Sequence, residues 1–124
     1  MRGGCGAIMR GGCDDSNLTV TDVRAAGAFL ERYFGMRSEG GNAGMAFLRD
    51  ERGFVLTLMK AGKATSVEYP GTFHIGFFVG DEAAVDEIRR RLHDDGYEVS
   101  APSPHHGYTC YVAAPGGFTV ELGA

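Results

Sequence analysis

Tryptophan is missing from this chain altogether, and cysteine and proline are scarce, at three and four residues in 124. Without tryptophan, a pocket that grips a planar ligand must use phenylalanine and tyrosine. Three cysteines without a framework spacing argue against a disulfide scaffold, and neither the spacing nor the neighbours of Cys5 and Cys13 match a zinc site. Excess positive charge is also absent. A net charge of −4 and a pI near 5.5 leave no broad electrostatic footprint for nucleic acid, and the run Arg89, Arg90, Arg91 reads as a solvated helix face. No run is long and apolar enough to cross a bilayer, and the N-terminus lacks the apolar core of a secretory signal, so the expectation is a cytoplasmic protein without a membrane partner. A phosphate cradle is not found, because Gly40-Gly41 and Gly116-Gly117 lie at turns with no helix after them, and there is no nucleophile elbow.

Glycine is plentiful, at 20 residues, which points to many tight turns in one domain of ordinary size. The pentapeptide Met-Arg-Gly-Gly-Cys occurs at Met1 to Cys5 and again at Met9 to Cys13, as in a low-complexity tail or a chain whose true start is Met9. Residues 1–16 are therefore set apart from a single domain at 17–124. Asn17 to Thr21 alternates as a strand, Asp22 stands at a helix N-cap, Val23 to Phe34 carries apolar residues at helical spacing, and Gly35 supplies the stop. Strands are expected at 36–39, 45–48 and 54–59, closing a first module at residue 60. Residues 61–71 are polar and end in Pro70-Gly71, which reads as a linker. A second module, 72–124, runs through a strand at Phe73 to Val79, a cap at Asp81, a helix at Glu82 to Asp95 and a stop at Gly96. A short strand at Tyr97 to Ser100 follows, then strands at 108–113 and 118–122.

The strand from Phe73 to Val79 organises the rest. Phe73, Ile75, Phe77 and Val79 share one parity and must pack under the following helix, which sends His74, Gly76 and Phe78 to the opposite face. The two modules share a strand, an aspartate cap, a glycine-ended helix and a Gly-Phe pair entering the last strand, at Gly53-Phe54 and Gly117-Phe118. A strand-helix-three-strand unit cannot cover its own sheet, whereas two can share one core. The fold class read from this repeat is α+β, two βαβββ modules forming a half-barrel.

The segments Asn17 to Asp22, Phe29 to Gly35, His74 to Asp81 and Pro115 to Leu122 resemble the vicinal oxygen chelate superfamily, over about Asp15 to Leu122. That superfamily includes glyoxalase I, extradiol dioxygenases, fosfomycin-resistance enzymes, methylmalonyl-CoA epimerase and bleomycin-binding proteins. The resemblance is specific for the fold and weak for the reaction, since the fold hosts many chemistries and plain binders. It implies metal ligands on the first strand of each module and near the end of each last strand. His74 and Glu121 hold those places in the second module, and Asp15 and Thr57 in the first. Asp15, His74 and Glu121 would make a three-ligand set, while the neutral Thr57 hydroxyl weighs against a four-ligand site. Without an ion, Glu121 would instead hydrogen-bond His74 and orient its imidazole.

Strand parity lines a concave wall with Asn17, Thr19, Val55, Thr57, Met59, Phe78 and Thr119, joined by Phe47 and by one parity of the 108–112 strand, taken as Tyr108 and Cys110. His105 and His106 lie in a loop that by analogy borders the mouth. Cys110 otherwise reads as a small buried hydrophobe with no activating neighbour. This mixture suits a moderately large organic ligand better than a phosphate or small acid. The first expectation is a small-molecule-binding protein of the bleomycin-resistance type, sequestering an antibiotic or other natural product at a homodimer interface. The alternative is a lyase, isomerase, dioxygenase or transferase dependent on a divalent ion such as zinc, manganese, iron, nickel or magnesium.

Overall fold

The computed structural model describes residues 15–62, 67, 69, 73–102 and 107–124, without the side chain of Asp15. The duplicated tail, most of the expected linker, and His105 and His106 lie outside the described residues. The first module comprises β1 (Asp15–Val20), α1 (Val23–Phe34), β2 (Arg37–Gly41), β3 (Met45–Arg49) and β4 (Val55–Lys60). The second comprises β5 (Ile75–Phe78), α2 (Glu82–Asp94), β6 (Thr109–Ala114) and β7 (Phe118–Gly123). Among the described residues no helix is long and apolar enough to cross a membrane.

Both helices start for the same local reason. A side-chain oxygen of Asp22 accepts from the Ala25 backbone N–H, and one of Asp81 accepts from that of Ala84, each filling a donor that the first helical turn leaves unpaired. Gly35 ends α1 in the left-handed region at φ 68°, and its N–H returns to the Leu30 carbonyl. Helix α1 buries Val23, Ala26, Phe29, Leu30 and Tyr33, one face of a 3.6-residue repeat.

The sheets follow one plan. The first has the order β1-β4-β3-β2 and the second β5-β7-β6, with the opening strand of each module parallel to its closing strand. The register also repeats: Asn17 pairs with Thr57 as Gly76 pairs with Glu121, and Phe47 meets Thr57 as Tyr111 meets Glu121. The architecture is α+β with two modules of one plan, as read from the repeat, the second keeping only a bridge in place of one strand of its βαβββ order.

Four elements differ from expectation. Strand β5 is confined to Ile75–Phe78 within the expected Phe73 to Val79, and β2 runs on through Gly40 and Gly41, where a turn was expected. Strand β1 begins at Asp15, two residues early, because Asp15 and Ser16 extend the parallel ladder against Val55 and Leu56. The strand expected at Tyr97 to Ser100 is reduced to a single bridge, Val99 to Val112. Tyr97 is drawn into the core, its ring 5.1 Å from Phe29, and its N–H bonds the Leu92 carbonyl at the end of α2. The Ser100 hydroxyl takes a ladder place by accepting from the Tyr111 N–H at 2.8 Å.

The modules share a core. Leu18, Val20, Leu30, Leu56 and Leu58 of the first pack in one cluster with Ile75, Phe77, Leu92, Val112 and Val120 of the second. Each such side chain contributes roughly 1.5–3 kcal/mol on leaving water. Phe34 stacks on Phe77 at 4.6 Å across the join. The Tyr33 hydroxyl and the Arg32 Nε–H both donate to the Asp95 carboxylate, while Arg91 donates to the Arg32 carbonyl at 2.7 Å. The free edge of β1 is closed by Tyr69, whose hydroxyl donates to the Thr19 carbonyl at 2.6 Å and accepts from its N–H at 3.0 Å.

Candidate functional site

Alternation along the strands divides each sheet into a core face and an open face. Leu56 and Leu58 on β4, with Ile75 and Phe77 on β5, go inward, which turns Val55, Thr57, Met59, His74, Gly76 and Phe78 the other way. Cross-strand pairing adds Asn17, Thr19 and Phe47 in the first module and Thr119, Glu121 and Tyr111 in the second. The four exposed large apolar side chains among the described residues all lie on these open faces: Phe78 at 58 %, Phe47 at 40 %, Met59 at 39 % and Tyr111 at 36 %.

A polar cluster sits in the open face of the second module. His74 Nε2 lies 3.1 Å from Glu121 Oε1, and the Tyr111 hydroxyl donates to Glu121 Oε2 at 2.9 Å. The His74 and Tyr111 rings meet edge-on at 5.8 Å. The Glu121 side chain is only 13 % exposed, so its two partners offset the loss of water that a carboxylate in this position would otherwise suffer. Tyr111 holds its proton above the usual phenol range, first because its hydroxyl donates to Glu121 and then because it is partly buried.

Two glycines make room for this arrangement. A Cβ on Gly76 would stand 3.3 Å from Glu121 Oε1 and 3.3 Å from the Phe78 ring. One on Gly123 would stand 3.0 Å from that ring and 2.6 Å from the Thr109 methyl. The Phe78 ring therefore covers both glycines. Phe78 also borders a cavity of about 430 Å³ whose other walls are Tyr33, Phe34, Phe77, Ile88 and the turn Asp50 to Arg52.

The cavity-wall reading of Tyr108 and Cys110 does not hold, whereas the reading of Cys110 as a small buried hydrophobe does. Cys110 is fully buried beneath the sheet with Val85 and Leu122, and burial pushes its thiol above the usual range, away from reactivity. Tyr108 turns to α2, where its hydroxyl donates to Asp86 at 2.6 Å. The row that does face outward is Tyr111 and its same-parity neighbours, and Tyr111 was missed. A signal existed. The turn at Pro115 to Gly117 pairs Ala114 with Phe118, which carries Tyr111 opposite Glu121.

The fold implies a divalent metal, and the donors can be tested for fit. Adjacent ligand positions on an octahedral ion with bonds near 2.1 Å lie about 3 Å apart. The 3.1 Å between His74 Nε2 and Glu121 Oε1 matches that spacing, and both groups are ordinary ligands for such ions. Among the described residues no group of three His, Cys, Asp or Glu side chains converges. Asp15 occupies the place in β1 that His74 occupies beside β5, with its side chain outside the described set. The residues present therefore fit a two-point hold on one side of an ion.

Two modules of one plan, each with its opening strand parallel to its closing strand, define the fold class. The chain belongs to the Glyoxalase/Bleomycin resistance protein/Dioxygenase superfamily, whose family model matches residues 12–122. It is 49 % identical to a structure described as a possible glyoxalase from Bacillus cereus, with TM-score 0.84 over 91 % of this chain and 98 % of that one. It is 33 % identical over 115 residues to the uncharacterized protein PA2024 of Pseudomonas aeruginosa, covering 85 % of this chain and 82 % of that one. The fosfomycin resistance protein FosX of Listeria monocytogenes, solved with Mn(II) and sulfate, shares the fold at TM-score 0.77 and 24 % identity, over 94 % of this chain and 91 % of that one.

Proposed function

We propose that this protein binds a moderately large organic molecule, an antibiotic or other natural product, on the open faces of its sheets. The observation that carries the reading is that the exposed large apolar side chains all stand on the open faces, Phe47 and Met59 on the first sheet and Phe78 and Tyr111 on the second, the last bonded to the half-buried Glu121. Exposed apolar surface of this kind is retained for binding. Asn17, Thr19, Val55, Thr57 and Thr119 supply the rest of a wall that is apolar with a few hydroxyls and one amide. His74 and Tyr111 are the groups to meet a polar atom of the ligand. A second copy of the chain, laid over these faces in the cytoplasm, would close the site and explain why so much aromatic surface stands open in one chain.

The experiment is displacement of 8-anilinonaphthalene-1-sulfonate from chelator-treated protein by a panel of aromatic natural products that includes bleomycin, with the small phosphonate fosfomycin as the contrast. Displacement that survives chelation and is lost in Phe78→Ala supports sequestration. Binding that disappears with the chelator rules against it.

The 3.1 Å spacing of His74 and Glu121 favours a second reading, a metal-dependent lyase, isomerase, dioxygenase or transferase in which Asp15, His74 and Glu121 hold the ion. When bound, such an ion polarises a substrate oxygen. His74 and Glu121 would then fix its position, and the Phe47, Met59 and Phe78 wall would exclude water. Elemental analysis of protein purified without added metal tests this: stoichiometric metal that falls in His74→Ala supports it, and sub-stoichiometric metal indifferent to His74→Ala removes its basis.

A further inference from the structure

Glu121 has one oxygen engaged from each side. Oε2 accepts the Tyr111 hydroxyl at 2.9 Å, while Oε1 faces His74 Nε2 at 3.1 Å and lies over Gly76, where even a methyl group would come within 3.3 Å. Gly76, Glu121 and Tyr111 form one register row across β5, β7 and β6, so the backbone ladder fixes all three relative to one another. Tyr111 is neither a ligand nor part of the apolar core; its ring stands edge-on to His74 and its hydroxyl ends on the carboxylate.

We infer that Tyr111 is a positioning and selectivity residue: by occupying Oε2 it makes Glu121 a one-oxygen ligand that offers an ion Oε1, the oxygen beside His74 Nε2. The inference rests on the metal reading of the site. Its chemical consequence concerns ion choice. Calcium, with more ligands at longer distances, can use both oxygens of a carboxylate, whereas magnesium, manganese and zinc accept one oxygen at about 2.0–2.2 Å. A carboxylate with one oxygen tied to a phenol is matched to the second group. Gly76 contributes by leaving Oε1 uncrowded, so the row sets both which oxygen is offered and the space in front of it.

The test uses the full-length protein, stripped with chelator, and calorimetric titration with Mn(II) and separately with Ca(II), so that it needs no substrate and no activity. The wild type is expected to take up Mn(II) in preference to Ca(II). Tyr111→Phe keeps the ring and its packing, and is expected to lower Mn(II) affinity about tenfold, the usual effect of removing an outer partner of a ligand, while Ca(II) affinity holds or rises. Gly76→Ala, which crowds Oε1, is expected to weaken both ions together and leave their ratio unchanged. If Tyr111→Phe binds both ions as the wild type does, the role assigned to Tyr111 is overturned while the metal reading stands. If the wild type takes up neither ion, or uptake is indifferent to His74→Ala, the metal reading fails and the inference falls with it.

Discussion

Across the first sheet the middle row reads Asn17, Thr57, Phe47, and across the second the equivalent row reads Gly76, Glu121, Tyr111. One module presents an amide, a hydroxyl and an apolar ring; the other presents open space, a half-buried carboxylate and a phenol bonded to it. Beneath these rows the inward residues correspond in kind, Leu56 and Leu58 with Val120 and Leu122, each at most 1 % exposed. The caps correspond as well, Asp22 with Asp81. The core face is held alike in both modules because packing specifies it, while the open face does little to hold the fold and can differ.

The largest expected effect tests whether the two cores are equal. Leu58 belongs to the cluster that joins both modules, and Leu122 to a smaller one with Val85 and Cys110. Leucine to alanine in a packed core costs about 2–5 kcal/mol, rising with the cavity left behind. Leu58→Ala is expected near the upper end and Leu122→Ala near the lower, by urea unfolding. Equal losses would mean that the second module has an independent core of the same weight.

The next effect comes from moving the polar pair across the comparison. Thr57→Glu places a carboxylate where Glu121 stands in the other module, opposite a phenylalanine that offers it nothing. A half-buried carboxylate whose neighbouring donor is only the neutral Asn17 amide is expected to cost about 1 kcal/mol. Adding Phe47→Tyr rebuilds the Tyr111 to Glu121 bond in the first module and is expected to recover about 1 kcal/mol. No recovery in the double variant would show that the two rows differ in backbone geometry as well as in side chains.

These rows also show how far the sequence alone reaches. Caps, helices and the inward parity of Ile75 and Phe77 follow from local chemistry and period, and all of them are found. The pairing of His74 with Glu121 on one face follows from parity once the second module is recognised. Tyr111 does not follow from its own strand, because the pattern from Tyr108 to Val112 is apolar on both parities and only the hairpin register chooses between them. The shortened strand near Val99 turned on a serine hydroxyl standing in for a backbone group, and the seal on β1 on a tyrosine 50 residues away. Both are tertiary choices with no local signature.

The caps give a smaller, symmetric effect. Asp22→Ala and Asp81→Ala each remove one bond to a first-turn N–H and are expected to cost about 1 kcal/mol by urea unfolding. Near-equal losses would support the equivalence of the helices. A markedly larger loss at Asp22 would trace to the heavier burial of α1.

The smallest effect concerns the ends of the helices, where the modules differ again: α1 stops at Phe34 with Gly35 as its cap, whereas α2 stops at Asp94 with Asp95 as its cap, and that side chain reaches back to α1. The Asp95 carboxyl titrates below its ordinary value of 3.8, first because the Tyr33 hydroxyl donates to it and, against the opposing effect of burial, because Arg32 lies beside it. The Tyr33 phenol titrates above its ordinary 10.0, first through burial and then through the same bond. For Asp95 the unfolded chain binds the proton more readily, so its contribution is complete above the ordinary carboxyl value and fades as pH falls through the depressed one. For Tyr33 the folded chain binds the proton more readily, so the contribution is complete below the ordinary phenol value and is lost as pH rises through the raised one. Tyr33→Phe is expected to return the Asp95 carboxyl toward its ordinary value, read by carbon-detected NMR titration, and to weaken the acid loss of melting temperature below about pH 4. Asp95→Asn should flatten that acid limb further and lower the phenol's titration. An unmoved Asp95 titration in Tyr33→Phe would mean that Arg32, which is held on the same carboxylate, carries the join between the modules instead.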